Sequence, residues 1–134
     1  MRFINSTIHG LLDYAAALAL IIAPNVLGLG AESALAYWLS VAAGIGLIVY
    51  SLITDYAFSM AKVLAFKLHL GFDIAAAIVF LFAPLLFGFN GIANIYYPVM
   101  GIGVLMVVLF TNSNKAEAEV GAQAEAAAAA ALAE

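Results

Sequence analysis

The sequence predicts an all-α fold, a bundle of four transmembrane helices made of two parallel two-helix repeats, and three observations predict it. The 134-residue chain is 67% hydrophobic and 9% charged, with a mean hydropathy of +1.14, whereas about a quarter of the residues in a soluble domain are charged. Four apolar stretches fall near residues 7–29, 35–54, 66–88 and 94–111, each close to the ~20 residues a helix needs to span hydrocarbon. The third observation is an internal repeat. His9-Gly10-Leu11-Leu12-Asp13-Tyr14-Ala15-Ala16-Ala17, leading to Ala23-Pro24 and Gly28, returns as His69-Leu70-Gly71-Phe72-Asp73-Ile74-Ala75-Ala76-Ala77, leading to Ala83-Pro84 and Gly88, at a constant offset of 60 residues.

The first span starts at Asn5-Ser6-Thr7, which suits a helix N-cap better than the glycosylation sequon it also matches. It reads as a retained helix and not a signal peptide, because His9 and Asp13 interrupt any apolar core and the segment is the mate of an internal span. Pro24 lies far along it and should kink or end the helix. The run Gly28-Leu29-Gly30-Ala31-Glu32-Ser33 is a tight hairpin connection to the second span, which carries Gly44-Ile45-Gly46 and ends at Thr54-Asp55. A partly amphipathic bridge leads to the third span, which repeats the first and again carries a late proline, Pro84. Gly88-Phe89-Asn90-Gly91 makes the second tight connection, and the fourth span matches the second through Gly101-Ile102-Gly103 and Thr111-Asn112 at an offset of 57. The chain therefore divides into a first two-helix repeat (1–56), a bridge (57–65), a second repeat (66–112) and a tail (113–134).

Arg2, Lys62, Lys67 and Lys115 all fall where a four-span protein has one side of the membrane, and neither hairpin connection contains Lys or Arg. The positive-inside rule puts both termini in the cytoplasm. The two copies then run parallel, unlike the inverted repeats of many carriers. The small residues at 15–17 and 75–77 would let the first and third spans pack together at the centre, with Ala16, Ala17, Ala76 and Ala77 at the contact. Trp38, Tyr37, Tyr96 and Tyr97 lie at the outer ends of the second and fourth spans, where an aromatic belt is expected. The tail holds Glu117, Glu119, Glu125 and Glu134 beside Lys115, so most of the formal charge of −4 lies outside the spans. Lacking an apolar stripe, it reads as a solvated or frayed helix.

Histidine and aspartate one helical turn apart share a face, so the repeat sets His9, Asp13, His69 and Asp73 at similar depth near the cytoplasmic side. Thr54, Asp55 and Tyr56 end the second span at that level, and Thr111-Asn112 end the fourth there. The reading placed first is structural, each histidine hydrogen-bonding an aspartate and fixing which helix faces meet. A metal site is the alternative, the four residues supplying imidazole and carboxylate ligands to a divalent ion such as zinc, or iron or manganese. Proton or ion conduction fits poorly, because the middle of every span is apolar. A bis-histidine haem through His9 and His69 ranks last.

The absence of cysteine excludes disulfides, thiolate sites and cysteine nucleophiles. No basic stripe points to nucleic acid, and no catalytic serine, P-loop or dinucleotide motif is present. The residues Thr7-x-His9-Gly10-x-Leu12-Asp13-Tyr14, the segment Tyr50-Ser51-Leu52-Ile53-Thr54-Asp55-Tyr56, His69-x-x-x-Asp73, Phe87-Gly88-Phe89, Pro98 and Thr111 resemble the SPW repeat proteins, small bacterial and archaeal membrane proteins with two copies of a two-helix unit. The Ser-Pro-Trp element itself is here Ala23-Pro24-Asn25 and Ala83-Pro84-Leu85. The resemblance implies the architecture and names no activity. Together these readings give a multi-pass protein of a prokaryotic inner membrane, non-enzymatic, structural or accessory, without a cofactor. Its expected partners are the lipid bilayer and a second copy or another membrane protein.

Overall fold

The computed structural model describes residues 2–55 and 59–133. Tyr56 and the first two residues of the bridge lie outside the described residues, as do the two terminal positions. Six helices follow in order: α1 (Ser6–Val26), α2 (Leu29–Glu32), α3 (Ala34–Leu52), α4 (Phe66–Phe87), α5 (Ala93–Phe110) and α6 (Ser113–Leu132). The fold is an all-α four-helix bundle, with α1, α3, α4 and α5 each long and apolar enough to cross a membrane. Their bounds lie within a few residues of those read from hydropathy, because span length is set by the hydrocarbon thickness that each helix must match.

Local chemistry starts and stops these helices. Asn5 accepts a hydrogen bond from the Ile8 amide at 2.8 Å, and Ser33 accepts one from the Ala36 amide at 3.2 Å, so each satisfies a backbone donor the helix leaves open. Pro24 and Pro84 lie inside α1 and α4, two and three residues before the helix ends. Left-handed glycines follow, Gly28 at φ 69° and Gly88 at φ 67°, where an L side chain would be strained.

Close backbone packing in the bundle, among the described residues, pairs α1 with α3 and α4 with α5. Gly44 and Gly101 make these approaches possible. A Cβ on Gly44 would lie 2.8 Å from the Ala17 carbonyl oxygen, and one on Gly101 would lie 2.7 Å from that of Ala77. Gly46 and Gly103, two residues on, have open space where a Cβ would stand. Gly44→Ala or Gly101→Ala should therefore cost about 1–3 kcal/mol through overpacking, while Gly46→Ala and Gly103→Ala should not. Denaturant titrations in detergent measure the contrast.

The central pairing of the first and third spans expected from their alanines is not what forms. Ala17 and Ala77 are fully buried, but against the glycine of their own hairpin partner. Ala16 and Ala76 instead line a cavity of about 620 Å³ between the two hairpins, walled mainly by apolar residues of α1, α3, α4 and α5. Small residues permit close approach without choosing the partner, and the glycines of α3 and α5 offer the deeper grooves.

The two hairpins are tied at one end of this cavity by side chains of α5 and the first connection. There Tyr96 and Tyr97 are buried, at 7% and 0% exposure, and so do not belong to an aromatic belt. The Tyr96 hydroxyl lies 2.6 Å from Ser40 Oγ, and the Tyr97 hydroxyl donates to the Ala36 carbonyl at 2.5 Å, both across to α3. Glu32, from the first connection, accepts from the Ile92 and Ala93 amides at 3.2 and 3.3 Å and so caps the start of α5. Trp38 does face outward, at 63% exposure.

At the other end of the bundle the tail packs against α1 and α4, and so is not the detached helix its composition suggested. Val120 of α6 is buried with Phe66 and Leu70 of α4, and Lys67 pairs with Glu117 at 2.9 Å. One valine on a helix made mainly of alanine and polar residues is enough to dock its first half where a hydrophobic pair awaits it.

Candidate functional site

The polar end of the bundle is built by two short backbone pairings. Ile4, ahead of α1, lies alongside Thr111 at the end of α5, and Leu64, ahead of α4, lies alongside Thr54 at the end of α3. The Phe110 carbonyl accepts from the Ile4 amide at 3.0 Å, and the Ile53 carbonyl from the Leu64 amide at 2.8 Å. Each pairing sets the end of one helix beside the start of another. Consequently α1 and α4 run in the same direction, and a threonine stands beside each histidine.

The four residues singled out by the repeat meet at one point. His9 and His69 are fully buried, and Asp13 and Asp73 are 6% and 3% exposed. His9 Nε2 lies 3.5 Å from Asp13 Oδ1 and 3.2 Å from Asp73 Oδ2, while His69 Nε2 lies 3.0 Å from Asp13 Oδ2 and 3.3 Å from Asp73 Oδ2. Each histidine thus contacts the aspartate of its own helix and that of the other hairpin, and one ligand atom from each of the four residues lies within 4.8 Å of the rest. The centre is shared, not two separate pairs.

The threonines settle how the rings are held. Thr54 Oγ1 donates to the Tyr50 carbonyl at 2.6 Å and Thr111 Oγ1 to the Val107 carbonyl at 2.7 Å. A carbonyl only accepts, so the single hydroxyl proton is committed there. Thr54 Oγ1 also lies 2.7 Å from His69 Nδ1, and Thr111 Oγ1 lies 2.9 Å from His9 Nδ1. Each hydroxyl must accept at this second contact, so both Nδ1 atoms carry the proton, an assignment that follows from the network. Both Nε2 atoms are thereby presented to the carboxylates.

Supporting contacts complete the shell. The Tyr50 hydroxyl donates to Asp73 Oδ1 at 2.7 Å. The Phe66 ring stacks on His69 and meets His9 edge-on, at centroid distances of 6.2 and 5.3 Å. Ser6 Oγ donates to Glu119 of the docked tail at 3.4 Å. On the cavity side, Asp13, Asp73 and Tyr50 form part of the lining.

Of the polar residues expected in this layer, Thr54 and Thr111 are present. Asp55 is not part of it, because it turns to Lys62 at 3.3 Å, a half-exposed cation nearer to water than the buried histidines. Asn112 caps α6 by accepting from the Lys115 amide at 3.2 Å. Tyr50 was quoted in the sequence only as part of a motif, and its position one turn before Thr54 is the signal that would have placed it in the layer.

Fold and site together define a multi-pass membrane protein of four spanning helices with a buried centre of two histidines and two aspartates. No protein-family model, curated protein or solved structure matches the chain.

Proposed function

We propose that this is a non-enzymatic structural or accessory membrane component, a two-hairpin scaffold whose halves are locked together at the His/Asp centre. One observation carries the reading: each of the four side chains reaches across to the other hairpin, at the end of a cavity that otherwise keeps the hairpins apart. Buried ionisable pairs are best attested as devices that specify one arrangement of helices. The resemblance to the SPW repeat proteins supports the two-hairpin architecture alone, and a centre in which every side chain named is engaged by another supports the scaffold.

The basic residues favour a cytoplasmic location for both termini and for the His/Asp end, in a prokaryotic inner membrane. Reporters fused after Leu29 and after Asn90 should read as external, and one fused at Lys115 as cytoplasmic. A cytoplasmic signal from either hairpin connection would overturn this orientation. The scaffold reading itself is tested by disulfide trapping in membranes, with cysteines at Glu32 and Ala93, where the connection of the first hairpin meets the start of α5 in the second: crosslinking in this otherwise wild-type background should fall when His9 and His69 are both replaced by alanine. Unchanged crosslinking would mean the centre does not lock the halves.

A further inference from the structure

We infer that the His9, Asp13, His69 and Asp73 centre binds one zinc ion, an inference that rests on the scaffold reading of the same residues and assigns what completes the lock. The distances are the first argument. Bonds of about 2.0–2.2 Å to a tetrahedral ion set neighbouring ligand atoms about 3.3–3.6 Å apart, whereas charge-assisted hydrogen bonds shorten to about 2.7–2.9 Å. Three of the four nitrogen-to-oxygen separations, 3.2, 3.3 and 3.5 Å, lie nearer the tetrahedral spacing, and the fourth is 3.0 Å.

The second argument is the protonation pattern. A histidine that ligates through Nε2 characteristically donates its other ring proton to a fixed acceptor, which orients the ring and raises its basicity. Thr54 and Thr111 are such acceptors, and each is fixed in that role by its own donation to a backbone carbonyl. The Tyr50 hydroxyl plays the same part for Asp73, holding the oxygen that does not face the histidines. Charge is the third argument. Two neutral imidazoles, two carboxylates and one dication sum to zero, which removes the cost of leaving charge uncompensated in a buried site.

The donor set selects the metal. Two nitrogens and two oxygens without a thiolate suit a borderline ion in tetrahedral geometry, while magnesium, calcium and manganese favour six or more oxygens. Four protein ligands leave no open position, so the ion is structural and not catalytic.

The test uses the full chain, purified in detergent without a polyhistidine tag or chelator, stripped, and titrated with zinc. We expect about one zinc per chain by elemental analysis and a melting temperature that rises with added zinc. The His9→Ala/His69→Ala variant should retain none. Because that variant could also fail to fold, Thr54→Val/Thr111→Val provides the second arm: all four ligands remain, and zinc affinity should fall by about 10- to 100-fold. Zinc binding undiminished by either variant would place the ion elsewhere and overturn the assignment. So would wild-type protein that binds iron or manganese in preference to zinc, or whose melting temperature ignores zinc. In those cases the hairpin crosslinking above still judges the scaffold on its own terms.

Discussion

Asp73→Ala should destabilise the protein by about 3–5 kcal/mol, the range measured when one member of a buried charged pair is removed and the other stays. Asp73 is 3% exposed and its two oxygens serve three partners: Oδ2 faces both histidines, at 3.2 and 3.3 Å, and Oδ1 accepts from Tyr50 at 2.7 Å. Its loss leaves two buried imidazoles sharing Asp13 and a tyrosine hydroxyl without its acceptor. Asp73→Asn should cost less, since an amide oxygen can still accept from Tyr50 while the charge is gone. Asp13→Ala should fall between the two, because Asp13 also meets both histidines. Reversible unfolding in mixed detergent micelles gives the three values, and an Asp73→Ala cost below about 1 kcal/mol, the scale of an exposed ion pair, would show that the centre does not hold the bundle together.

The ends of the spans were legible because they depend on local quantities: the length of an apolar run, a capping Asn5, a turn glycine such as Gly28 or Gly88. The repeat made the site legible as well. Two histidine and aspartate turns in register at the same depth had to lie near one another once the copies ran parallel, and they do. What stayed hidden depends on which helix faces which. Ala16 and Ala76 are small enough for close packing, yet the grooves at Gly44 and Gly101 draw α1 and α4 each toward its own partner and leave those alanines on a cavity wall. Tyr96 and Tyr97 illustrate the same limit, because an aromatic at the end of an apolar span looks identical whether it meets lipid headgroups or the opposite hairpin. Val120 was passed over for want of neighbours in its own segment, and its partners Phe66 and Leu70 lie some fifty residues away.

Tyr97→Ala should cost as much as the loss of Asp73, about 3–5 kcal/mol, the usual penalty for emptying a large buried aromatic site. Tyr97 is fully buried, its ring packs against Phe80, Phe89 and Tyr96 at centroid distances of 5.3, 5.0 and 5.2 Å, and its hydroxyl donates to the Ala36 carbonyl of the other hairpin. Both the ring and the hydroxyl therefore act, and they can be separated. Tyr97→Phe keeps the packing and removes only the donor, and the Ala36 carbonyl keeps its partner within α3, so the cost should be about 0.5–1.5 kcal/mol, that of one hydrogen bond. The split matters because the ring mainly stabilises its own hairpin, whereas the hydroxyl reaches across to α3. If the hydroxyl is a tie between hairpins, Tyr97→Phe should lower the crosslinking between the halves and add to the loss caused at the His/Asp end, since sites that share no partner combine nearly additively. A Tyr97→Phe variant as stable and as readily crosslinked as the wild type would leave the His/Asp centre to hold the two hairpins without help from this end.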